Sequence, residues 1–331
     1  MGRNIAGSKR GWGWNAAKQR LELYVNGTAV EYFDEPVGRT YYVNNITGDD
    51  ANDGLSWGNA MDQLDTALLA SETYRVSHDT SDMGVRNRII IQGTMTAYEP
   101  STTDGNCIDI FGIGNRMHLG GAAGDVMVSG GAAADGMVMS QLVTGWDTTV
   151  GNGGGIGVNI YNVHFEASGN YFAVDLVDFL LGSFEDCSFM TSGAASYGGL
   201  RATEHFAGSL VRHCHAGGDA GEPQDGFTFT GGVFNQNCIE WNWINARRYG
   251  FYTTDYLQGG TVVRNNTVYG TTYGLYDNSA ETTVRGRAQY VDNRFSSAGT
   301  AIQITNVGTS ICSANFSNTS GDGKWYTEDT A

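Results

Sequence analysis

The chain has 331 residues, 48 of them glycine and only three proline, with 40 % hydrophobic and 11 % aromatic residues. This is too apolar for a disordered chain, and without a strict Gly-X-Y period the glycines do not make a collagen. Thirty-five acids against 19 bases give a formal charge of −16, which weighs against a nucleic-acid reader because phosphate needs positive charge facing it.

The charge is unevenly placed. Residues 1–20 hold Arg3, Lys9, Arg10, Lys18 and Arg20 and no acid, so a basic arm precedes an acidic body. Trp12 and Trp14 lie within the arm, and Leu21 to Phe33 alternates around Asn26-Gly27, the signal of a β-hairpin. Residues 1–38 are read as an arm and hairpin that anchor the chain in a larger assembly. Its contact residues are Arg3, Lys9, Arg10, Trp12, Trp14, Lys18, Arg20, Tyr24, Tyr32 and Phe33. No apolar run follows the basic start and no stretch reaches 18 apolar residues, so neither a secretion signal nor a membrane span is expected. Five cysteines, an odd number without a CxxC pair, predict free thiols in a reducing compartment.

Residues 39–86 read as an N-terminal cap. Arg39 to Val43 is a strand and Asn44 to Gly58 a polar loop. A short helix follows over 59–70, with Met61, Leu64 and Leu68 on one face to close the end of a core. The acidic run Asp49 to Gly54 has Ala60 where a calcium loop needs its twelfth-position oxygen, so Asx turns are expected there. No cofactor is expected.

Residues 87–319 repeat. The segments beginning at Val163, Cys187, Cys214, Trp241, Asn266, Asn293 and Ala314 lie 24, 27, 27, 25, 27 and 21 residues apart. Their third positions, Phe165, Phe189, Ala216, Trp243, Val268, Phe295 and Phe316, form an apolar column. Gly199, Gly226, Gly250 and Gly274 form a second column, read as corners that need positive φ. Between them the chain alternates with period 2, as in Phe227 to Thr230, and no stretch shows helical periodicity. Short strands at this spacing predict an all-β, right-handed parallel β-helix, with a β-sandwich as the competing fold. Dividing 87–319 by the period gives about nine turns and, at about 4.8 Å per turn, a rod of roughly 43 Å. Residues 320–331 are a polar tail carrying Trp325 and Tyr326.

Stacked turns bring outward side chains together. Asp186, His213 and Glu240, flanked by His215, are expected on one outer face as a metal-ligand set, an acid–base pair, or a ladder of alternating charge. Glu204 and Asp255 occupy equivalent places two turns apart, roughly 10 Å, just beyond the span of an inverting carboxylate pair. Tyr249, Tyr252, Tyr256, Tyr273 and Tyr276 offer rings for stacking on sugars or on another subunit.

The stretch Tyr41-Tyr42-Val43-Asn44, Gly48-Asp49, Asn52 to Trp57, Ala60, Leu64 and Ala67-Leu68 resembles the opening motif of pectate-lyase-like parallel β-helix proteins. Phage tailspikes and related virion proteins belong to that superfamily. The resemblance, with the basic arm, implies a trimeric structural protein on the outer surface of a phage virion, a capsid decoration or tail spike. Its partners would be capsid or tail subunits and a host-surface glycan. The alternatives are a polysaccharide-degrading hydrolase or lyase and a non-catalytic glycan-binding adhesin.

Overall fold

The computed structural model describes the side chains of residues 38–78, 85–94, 96–100, 106–113, 156–167, 171–191, 198–217, 224–230, 234–254, 260–278, 288–305 and 312–317. It describes further strands by their backbone alone. Near the N-terminus, strands Asn4–Ile5, Ser8–Asn15, Arg20–Val25 and Thr28–Phe33 form an antiparallel sheet in which the last two strands pair as the predicted hairpin. Arg3 and Lys18 of the expected anchor lie outside the described residues, as do Asp255 and Tyr256.

The body is a right-handed parallel β-helix with three sheets. The first sheet has ten strands: Thr40–Val43, Asn87–Gln92, Ile108–Ile113, Asn159–Tyr161, Ser183–Glu185, Leu210–Arg212, Cys238–Glu240, Val262–Arg264, Ala288–Val291 and Ser310–Ser313. The second contains His164–Ser168, Ser188–Ser192, His215–Ala216, Trp243–Ala246, Thr267–Gly270, Arg294–Ser297 and Asn315–Thr319. The third contains Phe172–Leu180, Gly198–Ala207, Asp225–Phe229, Tyr249–Thr253, Tyr273–Asp277 and Thr300–Ile304. Strand Asp322–Tyr326 folds back antiparallel on Asn315–Thr319, so part of the expected tail is paired.

The expectation of about nine turns is corrected. Asp109 and Asn159 are partners in adjacent coils although 50 residues separate them, so one coil takes twice the period and the division fails. The part joined by a continuous asparagine ladder is four coils, whose first-sheet strands begin at Cys238, Val262, Ala288 and Ser310. Each of these coils has a buried asparagine at the same inward corner: Asn242, Asn266, Asn293 and Asn315. Each of the first three side-chain amides donates to the next asparagine's Oδ1 and to a carbonyl of the preceding coil. Asn266 Nδ2, for example, reaches Asn293 Oδ1 and Ile239 O, both at 2.9 Å. Each Oδ1 also accepts from the preceding coil's backbone, as Asn266 Oδ1 does from Asn242 N at 2.9 Å.

The helix (α1, Leu64–His78) starts later and runs further than the 59–70 expected. Met61 instead bridges to Val43 in the first sheet. Leu64, Ala67 and Leu68 close the end of the core, and the buried Glu72–Arg75 pair (2.6 Å) completes the same face. The acidic loop makes turns and a cap: Asp49 and Asp53 accept from the amides two residues on, and Asp50 Oδ1 accepts from Asp62 and Gln63 just before α1.

Inside, phenylalanines stack from coil to coil: Phe179 on Phe206 at 5.7 Å, Phe206 on Phe229 at 5.5 Å and Phe229 on Phe251 at 5.2 Å. The apolar column read from the sequence slips by one residue at two coils. Ile244, not Trp243, lies beside Val268, and Ser317, not Phe316, beside Phe295. Trp243 is 51 % exposed and Ile244 fully buried, because one residue of slip reverses a strand's faces. The positive-φ corners also belong to other residues than expected. Asn162, Asp186, His213, Trp241, Asn265, Asp292 and Ala314 take them, with φ between 52° and 58°. Gly226 and Gly250 are required for space instead, since a Cβ would stand 2.2 Å from Ile244 Cγ2 and 2.3 Å from Val268 Cγ1.

Asn266→Ala leaves Asn242 N buried without its acceptor, at about 1–3 kcal/mol, and removes the amide's bonds to Asn293 Oδ1 and Ile239 O, at about 1 kcal/mol each. A loss of about 3–5 kcal/mol is expected in denaturant unfolding. Asn266→Asp, which accepts but cannot donate, should recover only part of it.

Candidate functional site

The outward rows of the sheets decide where chemistry can sit. On the first sheet the in-register row is Glu185, Arg212, Glu240 and Arg264, a ladder of alternating charge. Arg264 Nε donates to Glu240 at 2.7 Å and Arg212 to Glu185. Glu240 is therefore engaged in this ladder, whereas Asp186 and His213 stand at neighbouring corners, 3.9 Å apart. His215 is buried in the second sheet with its ring stacked on Trp243 at 4.5 Å. The four residues expected as one polar cluster thus fall in three places.

Two coils from His215 on the second sheet, with Ser188 between them, His164 is buried, its Nδ1 2.6 Å from Ser188 Oγ. Burial first, and His215 second, push its pKa down from 6.5 to about 4. The cysteines are all free. Cys187 and Cys214 occupy in their coils the corner that Asn242 fills in the next, and burial holds the Cys214 thiol well above its ordinary pKa.

The third sheet carries the densest polar face. Asp175 is paired with Arg201 across adjacent coils, and Arg248 grips Asp225 through two bonds of 2.8 and 2.5 Å. Beyond them the strands set Tyr249 over Tyr273 and Tyr252 over Tyr276. The four half-buried rings lie 4.7–5.6 Å from their neighbours, with the Arg248 guanidinium 4.6 Å from the Tyr249 ring. Burial raises the pKa of Tyr249 and Tyr252, so these phenols remain neutral donors and acceptors at neutral pH.

At the other end of the face the pairing breaks. Leu176 opposes Ala202, but Asp178 opposes His205, so the strand Gly198–Ala207 holds one extra residue as a β-bulge. The bulge leaves Glu204 exposed and brings it beside Asp178, which is 2 % exposed. His205 Nδ1 lies 2.5 Å from Asp178 Oδ1, and one ligand atom each of Asp178, Glu204 and His205 fall within 4.8 Å of one another. Among the described residues, Asp178 Oδ2 is buried with no hydrogen-bond partner. Burial, opposed by the His205 hydrogen bond and reinforced by the Glu204 charge, raises the Asp178 pKa. Of this cluster, sequence reasoning singled out only Glu204. A separate groove of about 480 Å³ lies by the corners Trp241, Asn265 and Asp292, between the first and second sheets and away from these carboxylates.

No protein-family model matches the sequence, and no curated protein matches it. The structure is similar to the crystal structure of pectate lyase Pel9A, with a TM-score of 0.41 and 14 % identity, covering 87 % of this chain and 79 % of that one. It is also similar to a GH136 lacto-N-biosidase from Eubacterium ramulus, with a TM-score of 0.30 and 10 % identity, covering 85 % of this chain and 68 % of the other. The fold is a right-handed parallel β-helix. Neither similar structure is a virion protein, and the virion reading is withdrawn. The expected capsid or tail partners, the trimeric spike and the outer-virion location are withdrawn with it.

His164 gives a pH signature with a definite sign. Its folded pKa lies below its unfolded value, so the stability it confers is complete above about pH 6.5. That stability is lost as the pH falls toward about 4, at about 1.4 kcal/mol per unit. The difference between the pH–stability profiles of wild type and His164→Gln should show this slope in that window and flatten below it.

Proposed function

We propose that this chain is a polysaccharide-degrading enzyme that holds its substrate along the outer face of the third sheet. The observation that carries the reading is the two-by-two array of Tyr249, Tyr252, Tyr273 and Tyr276. Aromatic rings present an apolar face to the C–H side of a sugar and a hydroxyl at their edge. The Arg248–Asp225 pair at the border adds charged hydrogen-bonding groups for sugar hydroxyls. The cleavage centre is assigned to Asp178, Glu204 and His205, about 10 Å along the strands and about 10 Å across the coils from Tyr252. A short run of sugar units bridges that gap. Glu204 is the exposed member of the cluster and the first that a chain on this face meets.

The test uses the purified chain with pectate and with lacto-N-biose-containing glycans, following both new reducing ends and the ultraviolet absorbance of an eliminated product. Glu204→Gln should lower kcat at least a hundredfold with KM little changed. The double variant Tyr252→Ala, Tyr276→Ala should raise KM about tenfold or more while kcat is retained, because the platform binds ground state and transition state alike. Wild-type protein that neither binds nor cleaves these and a wider panel of acidic and neutral polysaccharides would overturn the proposal.

A further inference from the structure

At the bulge of the third sheet, one ligand atom each of Asp178, Glu204 and His205 lie within 4.8 Å of one another, so two carboxylates share one small space with an imidazole. Such crowding of negative charge beside an imidazole is the arrangement of a cation site. We propose that Asp178, Glu204 and His205 bind a divalent first-row transition-metal ion, of the Mn²⁺ or Zn²⁺ class, on the outer face of the third sheet.

Three observations support the site. Asp178 is 2 % exposed, and only its Oδ1 is engaged, by His205. Its Oδ2 is buried with no partner among the described residues, and an uncompensated buried carboxylate oxygen is expensive unless something positive sits against it. The second observation is the bulge, which inserts one residue opposite the Leu176–Asp178 segment and so sets Glu204 and His205 beside Asp178 in place of an alternating strand. The third is the donor set. Oxygen ligands alone would suit calcium or magnesium, while a carboxylate–imidazole mixture suits Mn²⁺ or Zn²⁺. Ligand bonds of about 2.0–2.2 Å from one tetrahedral ion put donor atoms about 3.4 Å apart, so the cluster closes on the ion by up to about 1.4 Å. The exposed Glu204 gives the ion its way in, and water completes the coordination on the solvent side.

The inference rests on the geometry of the cluster and not on the saccharide reading, and its test contains no saccharide. Full-length chain stripped with a chelator is titrated with Mn²⁺ and with Zn²⁺ by calorimetry, and the Mn²⁺ signal is followed by electron paramagnetic resonance. One ion per chain is expected, with a rise in thermal midpoint on binding. Glu204→Gln and His205→Gln should each weaken binding at least tenfold. Glu204 is exposed, so its variant keeps the test valid if Asp178→Asn fails to fold. Absence of saturable binding, binding unchanged in both variants, or Ca²⁺ binding as tightly as Mn²⁺ and Zn²⁺ would each overturn the site.

Discussion

The whole body depends on one constraint, the in-register stacking of parallel strands. Each side chain in a coil lies on its equivalent in the next, about 4.8 Å away. Every position must therefore tolerate a near copy of itself above and below. The corner before the second sheet shows the solutions in order. Val163 fills it by apolar packing, Cys187 and Cys214 with thiols that reach a carbonyl of the preceding coil, then Asn242, Asn266, Asn293 and Asn315 fill it with amides that bond coil to coil. The amide side chain can stack on itself because it carries both a donor and an acceptor. A carboxylate in the same place would face another carboxylate. The change of solution falls between Cys214 and Asn242, where Cys214 N donates to Asn242 Oδ1 at 2.9 Å and joins the two halves.

The same rule governs the outside. Charged rows alternate in sign, as in Glu185, Arg212, Glu240 and Arg264, so that each charge meets its opposite across a coil. Aromatic rows repeat, as with Tyr249 and Tyr273, because rings pack on rings. The Asp178 cluster breaks the rule. Two acids and a histidine gather there, and one carboxylate oxygen has no partner among the described residues. Local departures from a pattern that the rest of a fold obeys are where function is found.

Much of this organisation was legible in the sequence, because a period near 25 residues leaves few folds open. The hairpin around Asn26-Gly27 and the helix near Leu64 and Leu68 also followed from local pattern. What failed was register. At Trp241 and at Ala314 the sequence can be aligned one residue either way, and only the burial of Ile244 shows that Trp243, like Trp241, faces solvent. The glycine column was visible but its reason was not: the clash with Ile244 and Val268 comes from the neighbouring sheet, which local sequence does not show. The virion reading failed for a different reason. It rested on an arm and a scaffold, and a scaffold does not specify the activity it carries.

The cluster itself left a trace that spacing alone obscured. In Gly198–Ala207, strict alternation through Leu200, Ala202 and Phe206 would turn Glu204 into the core, and alternation through Val174 and Leu176 would do the same to Asp178. Two acids due inward on adjacent coils, at a depth where carboxylates are rarely tolerated, signal that the strands cannot be regular there. The bulge is the physical answer, since one extra residue re-aims Glu204 and brings His205 against Asp178. A solenoid suits this arrangement to a long substrate. Stacked coils present the same side chain again and again along one axis, and a polysaccharide presents the same ring again and again along its own. A platform of repeated tyrosines can therefore hold a chain in many registers, while a single irregular coil acts at one point along it.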